Sequence, residues 1–84
     1  MKIHEQITED LWTKRVFNCG GGHCLSGWIY QCYRSDYMSV RNKVSQYIEQ
    51  HYGIESSFRS VEDWNDAADR KFKDVYSLVK ELNI

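Results

Sequence analysis

The amino-acid sequence predicts an all-α protein, a compact single-domain bundle of about four helices with a glycine-rich corner after the first. Three observations support this class. Apolar residues recur at helical spacing in successive segments, the 84-residue chain contains no proline, and the glycine run at residues 20–22 separates the first two of these segments. The length is that of one domain, and we assign residues 1–84 to it.

The first predicted helix covers residues 3–17. On an otherwise charged segment its apolar stripe consists of Ile3, Ile7, Leu11, Trp12 and Val16. The sequence "NCGGG" at residues 18–22 is expected to end this helix, because Asn and Gly accept left-handed backbone angles at a helix C-terminus.

The second predicted helix covers residues 23–34 and has a broad apolar stripe, which indicates the most buried helix of the domain. The stripe consists of Cys24, Leu25, Trp28, Ile29, Cys32 and Tyr33. Gly27 lies inside this segment, where it weakens a helix by about 1 kcal/mol relative to Ala. A glycine in such a place often allows a neighbouring element to approach closely.

The third predicted helix has the clearest boundaries. Ser35 or Asp36 can cap its start, and Gly53 provides the C-terminal stop. The residues expected on its buried face are Tyr37, Val40, Val44, Tyr47, Ile48 and Tyr52.

A serine-rich loop at residues 54–60 is expected next. Ser60 with Asp63 resembles a capping box, which would open a short turn that buries Val61 and Trp64.

The last predicted helix follows, with Asp69 as its expected cap. The residues expected to mark its buried face are Phe72, Val75, Tyr76, Val79 and Leu82.

Composition argues against several classes of function, although nucleic-acid binding stays open as a third possibility if Arg41, Lys43, Arg70, Lys71 and Lys73 converge on one face. The formal net charge is −1, and acidic and basic residues are interspersed, so neither a nucleic-acid partner nor a membrane surface is indicated. No stretch approaches the roughly 20 apolar residues of a membrane span. The start "MKIHEQITEDLW" has no apolar signal-peptide region, and three cysteines are an odd number for a disulfide framework. We therefore expect a cytoplasmic protein with reduced thiols.

The segment "NCGGGHCLSGW" (residues 18–28) admits several interpretations, of which a structural corner fits every residue. Cys24 at a helix start could be an activated thiolate, but the chain lacks the room for a papain-like cleft. The spacings C-x3-H-C and C-x7-C do not match zinc modules, and a glycine run without Gly-Lys-Ser/Thr is weak evidence for a phosphate loop. We accordingly predict no metal and no cofactor.

A second motif, "WND" at residues 64–66, is typical of turns and helix caps, because Asn and Asp side chains bond nearby backbone groups. An alternative is that the two motifs together line a polar pocket. That pocket would bind a small ligand or a metal, with catalysis as a further option, through Cys19, His23, Cys24, Asn65 and Asp66.

These two motifs also carry a resemblance. The sequence is similar to a small uncharacterised family of bacterial and phage proteins that pairs a C-G-x-x-x-C-φ-x-G-W motif (φ is apolar) with a later W-N-D. The matching positions are Cys19, Gly20, Cys24, Gly27, Trp28 and residues 64–66. Gly21 and Gly22 depart from the family, where Thr is frequent. The resemblance brings no established activity, but it implies a phage or mobile-element origin.

The six tyrosines exceed what so small a core hides easily, and exposed Tyr with Arg is favoured in protein interfaces. An equally open interpretation is that the tyrosines rim the core with hydrated hydroxyls. We predict a non-enzymatic protein that binds another protein, with a homodimer left open. The resemblance suggests an inhibitor of a host defence or replication complex. The expected contact residues are Tyr30, Arg34, Tyr37 and Tyr47.

Overall fold

A computed structural model describes residues 2–16 and 18–84 of the chain and confirms the all-α class. The helices are α1 (Ile3–Gln6), α2 (Leu25–Cys32), α3 (Tyr37–Tyr52), α4 (Ser60–Asp66) and α5 (Phe72–Glu81). Two 3-10 turns, Glu9–Leu11 and Arg34–Asp36, and the short strands β1 (Asn18–Cys19) and β2 (Gly22–His23) complete the described elements. No helix in this part of the chain has both the length and the apolar character needed to cross a bilayer.

The prediction of one helix over residues 3–17 is wrong, because α1 ends at Gln6. The chain then forms the Glu9–Leu11 turn and is extended at Trp12, and the backbone amide of Thr13 donates to the carbonyl of His23 at 3.1 Å. The backbone at this point therefore pairs with β2 and not with its own helical turn. Val16 is 44% exposed and does not join a buried stripe. Phe17, the last residue of the predicted helix, lies outside the described residues.

The glycine-rich corner is a two-stranded antiparallel hairpin. Cys19 pairs with Gly22, so that residues 20 and 21 form the turn, with φ of +57° and +86°. These left-handed angles are those of tight hairpin turns, in which glycine avoids steric strain. The glycines thus adopt the left-handed angles that were expected, but they close a hairpin and do not end a helix.

The second helix is shorter than predicted and heavily buried. It begins after Cys24, its N-cap residue, and Tyr33 leaves the helical conformation. Leu25 and Ile29 have no exposed surface, and Trp28 is 4% exposed.

Helix α3 has the predicted bounds. Asp36 occupies the N-cap position without a side-chain hydrogen bond, and Gly53 adopts φ +68° after the last turn. Its buried residues Val40, Val44 and Ile48 recur four positions apart and form one face.

The predicted caps of the last two helices are wrong. The N-cap of α4 is Arg59, and Ser60 lies within the first turn, where its hydroxyl donates to the carbonyl of Ser57. The N-cap of α5 is Lys71, whose backbone amide donates to the Asp74 carboxylate at 3.0 Å. Asp69 does not cap α5, because residues 67–70 form a separate turn and the chain is extended at residue 71.

The core lies where α2, α3 and α4 meet, and it continues to α1 and α5. Its buried apolar residues are Ile3, Ile7, Leu25, Trp28, Ile29, Val40, Val44, Ile48, Val61, Trp64, Val75, Leu78, Val79 and Ile84. The carbonyl of Ile84 accepts hydrogen bonds from the backbone amide of Ile3 and from the Tyr33 hydroxyl. These bonds hold the start of α1 and the segment after α5 against α2.

Candidate functional site

The Asn65 side chain, which has no exposed surface, joins three separate segments of the fold. Its Oδ1 accepts hydrogen bonds from Trp12 Nε1 at 2.7 Å and from the Leu25 backbone amide at 3.0 Å. Its Nδ2 donates to the Thr13 carbonyl and to Asp66 Oδ1, both at 3.0 Å. A carboxamide has two acceptor positions and two N–H groups, so its hydrogen-bonding capacity is filled from within the protein.

Asp66 completes the same connection. Its Oδ1 also accepts the Arg15 backbone amide at 2.7 Å, at a residue whose φ is +65°. Lys14 adds a hydrogen bond from Nζ to the Ala67 carbonyl at 2.9 Å. The two polar residues of the W-N-D motif therefore hold the extended segment after Leu11 against the end of α4.

Trp64, the first residue of that motif, lies fully buried under a cation. The Arg70 guanidinium lies 4.2 Å from the Trp64 ring centroid and 4.7 Å from that of Tyr52. Arg70 Nε also donates to the Trp64 carbonyl at 2.8 Å. This contact fixes the connection between α4 and α5.

Among the side chains of the glycine corner that the structure describes, Cys24 does not have the features of an activated thiol. Burial raises the pKa of the Cys24 thiol, although the backbone amides of Gly27 and Ser26 act in the opposite direction. The helix-start thiolate considered from the sequence is therefore disfavoured. The His23 ring meets the Trp28 ring edge-on at 5.0 Å. The Cys19 side chain lies outside the part of the structure that is described.

Within residues 2–16 and 18–84, no group of three or more His, Cys, Asp and Glu side chains is arranged to hold a metal ion. Cys32 stays apart from the corner, since its sulfur accepts a hydrogen bond from Gln6 Nε2 at 3.4 Å. Of the five residues predicted to bind a ligand, Asn65 and Asp66 instead connect the end of α4 to residues 12–15 and to the start of α2.

Three of the four predicted contact residues lie side by side on the surface. The rings of Tyr30 and Tyr37 meet edge-on at 5.7 Å, and the Arg34 guanidinium lies 5.4 Å from the Tyr30 ring centroid. Tyr30 is 45% exposed. The fourth residue, Tyr47, is separate, because ten residues of α3 place it about 15 Å further along the helix axis than Tyr37.

Tyr47 connects α3 to α5. Its hydroxyl donates to Glu81 Oε2 at 2.8 Å, and its ring stacks on the His51 ring at 3.9 Å. Burial, together with the hydrogen bond and the negative charge of Glu81, raises the pKa of Tyr47 to about 12. These contacts make Tyr47 a part of the packing between two helices.

A cleft of about 440 Å³ opens beside the Tyr37 ring, between the first half of α3, the loop at residues 56–59 and α4. Two exposed apolar side chains border it, Met38 at 61% and Phe58 at 89% exposure. The full lining is Tyr37, Met38, Arg41, Asn42, Ser45, Ser56, Ser57, Phe58, Arg59 and Glu62. None of these residues belongs to the glycine corner or to the W-N-D motif.

An ion pair with low exposure forms the floor of the cleft. Arg41 Nη2 lies 2.6 Å from Glu62 Oε1, and Nη1 donates to Oε2 at 2.9 Å. The guanidinium also donates to the Phe58 carbonyl at 2.6 Å and to the Ser26 hydroxyl at 3.1 Å. Ser26 in turn shares a hydrogen bond of 2.7 Å with the Tyr37 hydroxyl. The network connects α2, α3, α4 and the loop before α4.

The pKa values of the pair reflect this geometry. Burial alone would raise the pKa of Glu62, but the hydrogen bonds and charge of Arg41 outweigh burial and hold it below its usual range. Burial likewise acts to lower the pKa of Arg41, and the Glu62 contacts outweigh it, so that the pKa is raised. Both groups are therefore charged at neutral pH and compensate each other.

We call the surface formed by Tyr30, Arg34, Tyr37, Met38 and Phe58 the Phe58 face. Sequence reasoning missed Met38 and Phe58. Available signals were a methionine outside the buried stripe of α3 and a phenylalanine within a serine-rich loop. Three of the exposed large apolar side chains in the described residues, Tyr30, Met38 and Phe58, belong to this face.

The fold and this surface define the class of protein: a small all-α domain in which the described residues form an exposed aromatic face beside a cleft. Comparison with known protein families, with curated proteins and with solved structures finds no match to this chain.

Proposed function

We propose that this chain is a small, non-enzymatic protein that binds another protein through the Phe58 face. The single observation that carries the proposal is a cleft bordered by the exposed side chains of Met38 and Phe58, whose lining also includes Tyr37, the ring partner of the exposed Tyr30. Contiguous apolar surface of this kind marks interaction sites in small proteins, and aromatic residues with Met and Arg are enriched at the centres of protein interfaces.

The energetics favour such a contact. Complete burial of a Phe or Met side chain contributes about 1.5–3 kcal/mol each, and Phe58 has nearly its whole side chain left to bury. The Arg41–Glu62 pair and its bond to the Phe58 carbonyl hold the loop in place. A surface that is already ordered loses less conformational entropy on binding, so more of the contact energy contributes to affinity.

The resemblance to bacterial and phage proteins supplies a biological setting for this proposal. In that setting the chain is encoded by a phage or mobile element, acts in the cytoplasm, and inhibits a host protein complex of defence or replication. A surface that binds by shape and apolar contact, without catalytic groups, suits an inhibitor that acts by occupying a site on its target.

The ligand-binding alternative at the glycine corner has less support. The Asn65 amide has all its hydrogen-bonding positions occupied by protein groups, and the pKa of Cys24 is raised.

Site-specific photo-crosslinking in the native cells tests the proposal. A benzophenone amino acid is placed at position 58, and the matched control carries it at Val16, which is also exposed and apolar. We expect a discrete crosslinked protein, whether another chain or a second copy, from position 58 only. Equal yields from the two positions, or no crosslink from position 58, would contradict the proposal.

A further inference from the structure

We propose that the partner of the Phe58 face is a second copy of this chain, in a two-fold symmetric contact that seats each Phe58 ring in the other copy's cleft. This inference rests on the proposed function, because it uses the same face and specifies its partner.

The shape of the face is self-complementary. The Phe58 side chain is 89% exposed, and the cleft beside it has Tyr37 and Met38 among its lining residues. In a two-fold contact residue i of one copy meets residue j of the other, and residue j meets residue i. A protruding ring and a cleft on one surface are then both filled, and each contact forms twice.

The charges on the face are balanced. Charges of both signs lie on and beside the face: Arg34 belongs to it, Asp36 precedes Tyr37, and Arg59 in the cleft lining pairs with Asp63 at 3.7 Å. Within the cleft, Arg41 and Glu62 neutralise each other. A surface with both signs in equal number can pair with its own rotated copy, whereas it offers no excess charge to a polyanion or a strongly charged peptide.

The charge of the whole chain also permits self-association. The formal net charge is −1, so two copies repel each other only weakly. This distinguishes a second copy from a partner that would have to be attracted by a strong field.

The size of the protein indicates how large a standard interface would be. The protein has 5147 Å² of accessible surface, and a standard interface uses roughly one-tenth of a small protein's surface, which is about 500 Å² per copy here. A total of about 1,000 Å² lies at the low end for specific complexes. An interface at this end of the range is typical of transient contacts, so we expect a reversible dimer that dissociates within the micromolar concentration range.

Sedimentation equilibrium of the full chain, under reducing conditions and from low to high micromolar concentration, tests this. We expect a monomer–dimer equilibrium that Phe58→Ser and Met38→Ser each weaken at least about tenfold, because each side chain is lost on both copies. The control Val16→Ser should change Kd by less than about twofold. Val16 is a suitable control because it lies near the opposite end of α4 from Phe58. Its neighbour Arg15 is bonded to Asp66, the last residue of α4, whereas Phe58 comes before the first residue of that helix.

A chain that remains monomeric over the whole range would overturn the inference, as would a dimer whose Kd is unchanged by both face variants. Circular dichroism shows whether each variant is folded. If Phe58→Ser does not fold, the Kd of Met38→Ser tests the inference. If the chain is monomeric but position 58 still crosslinks to a different protein, the second copy is wrong and the proposed function stands. If position 58 crosslinks to nothing, both fail.

Discussion

The Arg41 guanidinium and the Glu62 carboxylate face each other in a two-point ion pair, with N···O distances of 2.6 and 2.9 Å. The side chains are 11% and 25% exposed, respectively. Because a third hydrogen bond from the same guanidinium reaches the Phe58 carbonyl, the pair both joins α3 to α4 and sets the position of the loop that carries Phe58.

Replacement Glu62→Gln should reduce the free energy of unfolding by about 2 kcal/mol, between the values for exposed and fully buried pairs, because it leaves the Arg41 charge uncompensated. Denaturant unfolding measures this. The matched control is Asp63→Asn on the same helix, whose pair with Arg59 is 3.7 Å long and largely exposed. It should cost less than about 0.5 kcal/mol. Equal losses of unfolding free energy in the two variants would show that the Arg41–Glu62 pair stabilises the fold no more than an exposed ion pair does.

The contribution of the Arg41–Glu62 pair to the free energy of unfolding should depend on pH. The pKa of Glu62 is lowered in the folded state, so its contribution is fully present above the unfolded value of 4.5 and is lost as pH falls through the folded pKa. We expect the stability difference between the wild type and Glu62→Gln to shrink at acidic pH. A difference that stays constant from pH 7 to pH 3 would argue against the ion pair as its source.

Asn65→Ala should be among the most damaging single substitutions, with a loss of about 3 kcal/mol or more. It leaves Trp12 Nε1, the Leu25 amide and the Thr13 carbonyl without their partner and opens a cavity. Thermal or denaturant unfolding measures the loss, with the exposed Asn42→Ala as control. A loss below about 1 kcal/mol would mean that water replaces the amide at little cost.

The hairpin turn can be tested at Gly20. Its φ is +57°, and a Cβ added at this position would meet nothing within 4 Å, so the cost of a substitution comes from the backbone angle alone. Gly20→Ala should lower stability by about 1–2 kcal/mol. Gly20→Asn should cost less than half as much, because Asn tolerates left-handed angles. Equal effects of Ala and Asn would indicate that the turn relaxes to another conformation.

The Tyr47 hydroxyl should titrate well above the ordinary tyrosine pKa of 10.0. Its pKa of about 12 reflects burial and the negative Glu81, so Glu81→Gln should lower it. NMR of tyrosine labelled at the ring carbon that bears the hydroxyl measures the titration, with Tyr47→Phe for assignment. Because the folded pKa exceeds the ordinary tyrosine value of 10.0, the contribution to stability is present below pH 10 and declines above it. An unchanged pKa in Glu81→Gln would show that the negative charge of Glu81 does not raise it.

The sequence alone determined the elements whose signals are local. Helix α3 could be predicted to within one residue at its start, where Ser35 and Asp36 were both candidate caps, and to the residue at its end. Val40, Val44 and Ile48 recur at helical spacing, and Gly53 provides a left-handed stop within the same segment. The positive φ angles at residues 20 and 21 are angles that glycine adopts without strain, which its presence at these positions already indicates. Helical class and the absence of strong charge are likewise properties of short stretches and of composition.

Only the tertiary structure decided the conformation and the packing partners of the remaining segments. Leu11 and Trp12 have helical spacing, yet the chain is extended from Trp12 onward, after the Glu9–Leu11 turn. The reason is that β2 and an asparagine more than fifty residues away supply the hydrogen bonds of this segment. Tyr37 and Tyr47 share one helix, but packing assigns the first to a surface and the second to the contact with α5. The periodicity of apolar residues shows which side chains share one face of a segment. It does not show which other segment packs against that face, so long-range partners of this kind cannot be predicted from it.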